Sequence, residues 1–120
     1  MEFRWRDFIA VASDLNEGIL TSEVPEAYAR CAVSRAYYAA FCHARNYARD
    51  HYQYTPANHA GDHQLVRQEL LVHRQFAVAR RLDKLRKWRN QCDYRDDVSD
   101  VMDTPAKALE LARQVLDALT

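Results

Sequence analysis

Residues 27–48 read AYARCAVSRAYYAAFCHARNYA, and this stretch decides the fold that the sequence predicts. It runs for about 22 residues without glycine or proline, which is enough for roughly six turns of helix. Apolar residues recur at helical spacing on more than one of its sides, a pattern typical of a buried helix. The alanines Ala29, Ala36, Ala40 and Ala44 let neighbouring helices approach closely. We therefore expect a central helix with other helices packed around it.

Two polar residues, Ser34 and Arg35, interrupt this apolar stretch. Arginine is rarely buried in a protein unless a partner compensates its charge. One interpretation is that Arg35 extends its charged end to the solvent or pairs within the fold. The other is that it faces a polar cleft or a partner molecule. The sequence leaves both open, and it makes Ser34 and Arg35 candidate binding residues.

The composition limits the class of protein. A chain of 120 residues is the size of one domain, here residues 1–120, and 48% apolar residues with two glycines are typical of a compact helical protein. No apolar run approaches the roughly 18 residues of a membrane span, and the N-terminus lacks the pattern of a signal peptide. The cysteines Cys31, Cys42 and Cys92 follow no paired metal-ligand spacing. Cys31 and Cys42 are expected in the core, and free thiols indicate a reducing cytoplasm.

Apolar residues at helical spacing predict four more helices. Three of them cover about residues 3–15, 63–73 and 74–93, and the last begins at Thr104, which can cap it. Residues 50–62 contain proline and glycine without any period, so they predict a loop. No stretch has the alternation of a strand. The predicted fold is therefore all-α, an up-and-down bundle of four long helices plus a short fifth helix.

Short signals predict where these helices begin and end. Gly18 is expected to stop the first helix. Ser22 is expected to cap the central helix, with Pro25 in its first turn. Asp62 is expected to cap the third helix, and Pro105 occupies the first turn of the last one.

Histidines are concentrated in and next to the predicted loop. His59 and His63 are four residues apart, a spacing that can hold a metal ion on a helix. However, Gly61 lies between them, and no acid or cysteine completes a site. Because Gly18 and Gly61 are the only glycines, the chain also has no glycine-rich phosphate loop. We therefore expect no metal ion and no cofactor.

Charge is distributed unevenly, although the net charge is zero. Residues 74–95 carry eight basic and two acidic side chains, whereas residues 1–26 and 96–120 each carry six acids and two bases. One interpretation is a solvated helix face whose charges meet the acidic ends of the same chain. The other is a face that binds phosphates. On the second interpretation Arg86 and Lys87 are candidate binding residues.

Arg89 stands where the pattern of its helix requires an apolar residue. The row formed by residues 78, 82, 85, 89 and 92 holds valine, two leucines, arginine and cysteine in that order. Such a violation tends to mark a functional or strained site. The structural alternative is an ion pair with Asp93, one turn further along the helix. Asn90, a candidate binding residue, and Tyr94 accompany Arg89 in the sequence RNQCDY.

The pieces SRAYYAAF, residues 34–41, and RNQCDY, residues 89–94, resemble the two signature regions of HEPN domains. These domains are small helical bundles of bacteria and archaea, often encoded beside minimal nucleotidyltransferases as toxin–antitoxin pairs. The resemblance covers most of the chain, because the number and order of the helices also agree. It implies a homodimer that has RNA or a minimal nucleotidyltransferase as its partner.

Many HEPN domains are metal-independent ribonucleases, whose motif is an arginine, a polar residue and, after four to six intervening residues, a histidine. Arg89 and Asn90 match the front of this motif, but Tyr94, Arg95 and Asp96 occupy the positions of the histidine. The ending resembles a HEPN subgroup that lacks the histidine. A histidine, with a pKa of about 6.5, transfers protons at neutral pH, whereas tyrosine and aspartate do so only when strongly shifted. The resemblance therefore implies binding without RNA cleavage.

Three functions follow from these features. The favoured one is a binding module of a toxin–antitoxin or nucleotidyltransferase-partner system, which binds RNA or the nucleotidyltransferase through the basic helix and an Arg89 pocket. The second is a ribonuclease that uses Arg89 with Asp93 or Tyr94, or with a histidine supplied by residues 51–63. The third is a purely structural partner subunit in which Arg35 and Arg89 tie the bundle together. In this family a nucleotidyltransferase can modify a motif tyrosine, which makes Tyr94 a target on the first hypothesis.

Overall fold

The computed structural model describes all 120 residues and contains five α-helices and no strand. Along the chain they are α1 (Asp7–Gly18), α2 (Pro25–Tyr52), α3 (Asp62–Val72), α4 (Phe76–Tyr94) and α5 (Thr104–Ala118). The prediction of an all-α bundle is confirmed, and α3, with 11 residues, is the shortest helix. None of the five helices combines the length and the apolar character needed to cross a membrane.

The helix α2 is the centre of the bundle, as residues 27–48 predict. It is 28 residues long and packs against each of the other four helices. Seven of its alanines are fully buried, and because their side chains are small the neighbouring helices approach closely. Cys42 is buried, as expected. Cys31 is exposed, because the side of α2 on which it lies is open to solvent, so the prediction that it belongs to the core is wrong.

The helices α4 and α5 complete the core. The apolar members of the predicted row of α4 are all buried: Val78, Leu82, Leu85 and Cys92. Arg89 belongs to the same row and is buried as well, with 8% of its surface exposed. The helix α5 packs on both α2 and α4. Thr104 is the first residue of α5 rather than its cap, and its hydroxyl donates a hydrogen bond to the carbonyl of Asp100 at 2.9 Å.

The helix α1 starts later and runs further than predicted. It begins at Asp7 rather than at Phe3 and includes Gly18 as its last residue. Gly18 does not adopt the left-handed conformation expected of a glycine that stops a helix. Its role is steric, because a Cβ atom at this position would lie 2.9 Å from the ring of Tyr28. The missing side chain thus lets α1 and α2 approach closely at the turn between them.

The cap and the end of α2 also differ from the prediction. Ser22 does not cap the helix, because its Oγ accepts a hydrogen bond from the N–H of Val24, at 2.9 Å, in the preceding turn. Pro25 is in the first turn, as predicted. The helix continues to Tyr52 and stops where Gln53 adopts the left-handed conformation, with a φ of 58°. The loop before α3 is therefore shorter than predicted.

Asp62 fixes this loop instead of capping α3. Its carboxylate accepts hydrogen bonds from the N–H groups of Ala57 at 2.9 Å and Asn58 at 2.8 Å, and from the hydroxyl of Tyr54. Burial raises the pKa of this carboxyl, but the three hydrogen bonds outweigh burial and hold it below its ordinary value. The prediction that Asp62 caps α3 is wrong, since its acceptor oxygens are occupied by the loop that precedes the helix.

Candidate nucleic-acid interface

Arg89 is a buried cation that the fold satisfies only in part. Its guanidinium carbon lies 5.2 Å from the ring centroid of Tyr37 and 5.4 Å from that of Tyr38, both on α2. These aromatic faces stabilise the charge by cation–π attraction. An oxygen of Asp93 lies 3.7 Å from Nη1, so the suggested ion pair is present but too long for a direct hydrogen bond. The Nε atom of Arg89 is buried and has no hydrogen-bond partner.

Ser34 and Arg35 lie beside Arg89, on the facing side of α2. The hydroxyl of Ser34 donates a weak hydrogen bond to Asp93 at 3.4 Å, and Nη2 of Arg35 donates to that hydroxyl at 3.3 Å. The guanidinium carbon of Arg35 also lies 5.1 Å from the ring centroid of Phe8 on α1. Arg35 therefore pairs within the fold at its polar end while its plane contacts an aromatic ring. The structure brings together four of the predicted site residues: Ser34, Arg35, Arg89 and Asp93.

His63, the second residue of α3, joins this group from a part of the chain that helical spacing could not connect to Arg89. Its Nδ1 is hydrogen-bonded to the hydroxyl of Tyr37. Its ring stacks on Phe41, with centroids 4.2 Å apart, and on Tyr37, with centroids 5.6 Å apart. Burial, followed by the charges of Arg89 and Arg67, lowers the pKa of His63 below its ordinary value of 6.5. The imidazole is therefore neutral at pH 7.

We call these residues the inner polar cluster. Its members are Ser34, Arg35, Tyr37, His63, Arg89 and Asp93. They come from α2, α3 and α4, and the ring of Tyr37 is in contact with both the guanidinium of Arg89 and the imidazole of His63. A cation, a neutral imidazole and a hydroxyl within one site can bind a phosphate and exchange a proton with a substrate.

A second charged region covers the solvent side of α4. It is an open groove of about 830 Å³, and we call it the outer basic groove. Its basic side chains are Arg67 from α3 and Arg80, Arg81, Lys84 and Lys87 from α4, and its one aromatic side chain is Trp88. The apolar side chains of Leu71 from α3 and Leu111 from α5 also line it. A groove lined by four cations of α4 and one of α3 attracts a polyanion.

Asp83 is the single acid of this groove, and cations surround it. Its carboxylate pairs with Arg86 at 2.9 Å, with Lys87 at 3.2 Å and with Arg67 at 3.7 Å. The hydrogen bond from Arg86 holds the pKa of the Asp83 carboxyl below its ordinary value. One carboxylate thus orients three basic side chains, and the net charge around it stays positive.

The structure separates the remaining predicted site residues from Arg89. Lys87, Asn90 and Tyr94 line a shallow pocket of about 570 Å³ at the end of the outer basic groove. Tyr94 is 77% exposed, whereas Arg89 is 8% exposed. Because five residues of helix correspond to a rotation of about 140°, the two side chains leave α4 in different directions. Arg86 lies at the border, since it bonds Asp83 and its charge also acts on His63.

Arg30 is a residue of the site region that sequence patterns do not reveal. It lies on α2, forms an ion pair with Glu26 at 2.8 Å and donates hydrogen bonds to the carbonyls of Cys92 at 3.0 Å, of Arg95 and of Asp96 at 2.9 Å. The carbonyl of Cys92 is one of the free acceptors in the last turn of α4, and those of Arg95 and Asp96 follow the helix directly. Arg30 therefore fixes the last turn of α4, which carries Asp93, against α2.

The other histidines have structural partners. Nδ1 of His59 accepts a hydrogen bond from the N–H of Gly61 at 2.9 Å, so His59 and His63 are engaged in separate contacts. His43 is hydrogen-bonded to the carbonyl of Leu119 at 2.6 Å, which ties the end of the chain to α2. No group of three or more histidine, cysteine or acidic side chains is arranged to hold a metal ion.

Comparisons of the chain with protein-family models, with curated proteins and with solved structures found no match. The resemblance to HEPN domains stays a prediction that depends on residues 34–41 and 89–94 and on the order of the helices.

Proposed function

We propose that this chain is a HEPN-like binding module that holds RNA by its phosphates and does not cut it. The observation that carries the proposal is the outer basic groove, which five cations and a single acid line. That acid, Asp83, is already paired with basic neighbours and leaves an excess of positive charge. Neutralising phosphates along such a groove releases counterions from the RNA, which drives binding.

Arg89 supplies a second, more selective contact in this proposal. Its Nε–H is buried and without an acceptor in the chain, and its partner Asp93 lies 3.7 Å away. A phosphate oxygen that reaches Arg89 gains a charge-assisted hydrogen bond, which is stronger than one between neutral groups. In this proposal the inner polar cluster binds one phosphate and the outer basic groove binds others. Arg86, which pairs with Asp83 and whose charge acts on His63, lies between the two.

The homodimer and the nucleotidyltransferase partner belong to the same proposal and depend on the resemblance to HEPN domains. The apolar excess of residues 27–48 does not by itself require a second copy, because α2 packs against four helices of its own chain. In such a toxin–antitoxin pair this chain would bind RNA or the nucleotidyltransferase. Binding uses the basic helix and does not require the motif histidine.

A metal-independent ribonuclease is the second candidate, and the position of His63 favours it. In the tautomer that donates Nδ1–H to Tyr37, Nε2 is free to take the proton of a 2′-hydroxyl. The 2′-oxygen attacks the adjacent phosphorus, the 5′-oxygen leaves and receives that proton from His63, and Arg89 stabilises the charge on the phosphate. His63 would thus replace the motif histidine from a different helix.

The experiment that tests the proposal scores bound and cut RNA together. Labelled mixed RNA is incubated with wild type and with Lys84→Gln/Lys87→Gln, in the presence of a metal chelator, and analysed on native and denaturing gels. The matched control is Arg6→Gln/Arg113→Gln, which removes two exposed positive charges, one from the turn before α1 and one from α5. We expect intact RNA throughout and a loss of binding only in the Lys84→Gln/Lys87→Gln variant.

Two other results separate the alternatives. Cleavage that disappears in both His63→Gln and Arg89→Met would overturn the binding module and establish a ribonuclease. If wild type neither binds nor cuts RNA, the chain acts as a structural partner subunit or binds a protein only.

A further inference from the structure

We infer that Trp88 is a stacking platform for one base of single-stranded RNA, an inference that rests on the proposed RNA binding. Trp88 lines the outer basic groove and also the adjoining depression of about 440 Å³ between α4 and α5. It is the one aromatic side chain in either of them. Cations alone hold a phosphate chain, whereas an indole placed among them offers a flat surface that a base can cover.

The neighbours of Trp88 provide an apolar floor with cations around it. Ala106 and Leu111 of α5 line the same depression, and Leu111 and Trp88 both pack on the core. Lys84 precedes the indole along α4, and Lys107 faces it from α5. The acid of the depression, Glu110, accepts a hydrogen bond from Gln114 at 3.0 Å. A base on the indole therefore has positive charge available for the phosphates on both sides of it.

Lys84 lies over the indole. Its ammonium nitrogen lies 5.2 Å from the ring centroid of Trp88. A cation–π contact at an exposed site is weaker than base–aromatic stacking, so a base displaces the ammonium group. The displaced ammonium group then pairs with a phosphate next to the stacked base. Lys84 thus contacts the indole itself and, in the proposed complex, a phosphate beside the stacked base.

This arrangement selects single-stranded RNA over duplex RNA. In a duplex each base face is covered by its neighbours in the helix, and a protein meets mainly phosphates and 2′-hydroxyls. A duplex can use the cations of the outer basic groove but cannot place a base on Trp88. A single strand can use both, and because every base has an aromatic face the preference is for strandedness rather than for sequence.

The two tryptophans of the chain allow a direct test. Trp5 lies in an aromatic cluster with Phe3 and Phe8, so Trp5→Phe is conservative and leaves Trp88 as the only tryptophan. This variant is titrated with an oligouridine, with a duplex RNA of equal length and with inorganic polyphosphate. We expect oligouridine to quench the fluorescence of Trp88, and polyphosphate to bind without quenching. The duplex should bind more weakly than oligouridine.

Substitution of the indole completes the test. Trp88→Leu should lower the affinity for oligouridine by about 5- to 150-fold, leave polyphosphate binding unchanged, and be partly rescued by Trp88→Phe. An equal loss for polyphosphate, or no loss for oligouridine, would overturn the inference. Its failure is distinct from that of the proposed function: if Lys84→Gln/Lys87→Gln lowers RNA affinity and Trp88→Leu does not, the groove binds RNA without stacking. If neither changes RNA binding, the proposed function fails as well.

Discussion

The hydroxyl of Tyr37 is hydrogen-bonded to Nδ1 of His63, and this pair joins the middle of α2 to the start of α3. The guanidinium carbon of Arg89 lies 5.2 Å from the centroid of the same tyrosine ring. Burial raises the pKa of Tyr37 and lowers that of His63, so both are neutral at pH 7. One aromatic ring therefore connects a buried cation with a neutral histidine from another helix.

The first prediction concerns the protonation of His63. We expect its pKa to lie below 6.5, because burial and the charges of Arg89 and Arg67 disfavour the imidazolium. The measurement is an NMR titration of the imidazole C–H signals, with His63→Gln to identify the resonance. In Arg89→Gln the pKa should rise, since a positive charge has been removed. A value at or above 6.5 in wild type would contradict the buried environment of His63.

The lowered pKa of His63 also makes the stability of the fold depend on pH. Because His63 binds a proton less readily in the folded chain than in the unfolded one, its contribution to stability is complete above the unfolded pKa of about 6.5. This contribution is lost as the pH falls through the lower pKa that His63 has in the folded chain. Urea unfolding between pH 7.5 and 5 should show the loss in wild type and a smaller one in His63→Gln.

The second prediction separates a functional Arg89 from a structural one. Arg89→Met keeps the length of the side chain and removes a buried charge with an unpaired Nε–H. Burying a charge has a desolvation cost that an ion pair offsets only when its geometry is good, and the 3.7 Å contact with Asp93 is too long for that. The Asp93 side chain that the substitution leaves behind is 28% exposed and stays in contact with water. We expect an unchanged or raised Tm together with an RNA affinity lowered by about 10- to 150-fold, the value of one charge-assisted hydrogen bond.

The control for this variant is Arg30→Met, since Arg30 fixes the end of α4 through three carbonyls. It should lower the Tm, because it leaves those acceptors and Glu26 without a partner. A lower Tm in Arg89→Met with unchanged RNA affinity would assign Arg89 to the structural subunit hypothesis.

The third prediction concerns the salt dependence of RNA binding. The logarithm of the affinity should fall linearly with the logarithm of the salt concentration, with a slope of about −0.7 for each phosphate contacted on a single strand. Lys84→Gln/Lys87→Gln should make that slope less steep by about 1.4. The measurement is fluorescence anisotropy of a labelled oligouridine over a salt series. A slope that changes equally in Arg6→Gln/Arg113→Gln would show that the net charge, and not the groove, controls binding.

Much of the fold was predictable because its signals are local. The alanine-rich residues 27–48 and the apolar row of α4 each show their burial within a few helical turns. The caps were less predictable, because the acceptor oxygens of Ser22 and Asp62 have several donors within reach. Which donor they take depends on where the folded chain places the neighbouring loop.

The candidate site was predictable only where it breaks a pattern. Arg89 stands out because it occupies an apolar row, and its nearness to Ser34, Arg35 and Asp93 follows from the packing of α4 on α2. No spacing connects His63 to Arg89, since the loop between α2 and α3 determines where α3 begins. Trp88 fits the apolar face of α4 in the sequence, yet in the fold it also lines two surface depressions.

The fourth prediction concerns the side chain that holds the loop before α3 in place. Asp62 is 4% exposed and accepts hydrogen bonds from Tyr54, Ala57 and Asn58. Asp62→Ala removes three hydrogen bonds to a charged group, each worth about 1.5–3 kcal/mol. We expect a destabilisation of at least about 2 kcal/mol in urea unfolding, and faster amide exchange in the loop. The matched control, Asp14→Ala on the exposed side of α1, should change the stability by less than about 0.5 kcal/mol.

The ionisation of Asp62 adds a pH dependence to the same prediction. Because its folded pKa is below its ordinary value, the unfolded chain binds the proton more readily, so this stabilisation is present above the unfolded pKa of about 3.9. The stabilisation is lost as the pH falls through the pKa that Asp62 has in the folded chain. Wild type should therefore lose its advantage over Asp62→Asn in strong acid. His63 follows Asp62 directly. The loosened loop of Asp62→Ala should therefore also broaden the imidazole NMR signal of His63. An unchanged resonance would show that the loop does not control the position of this histidine.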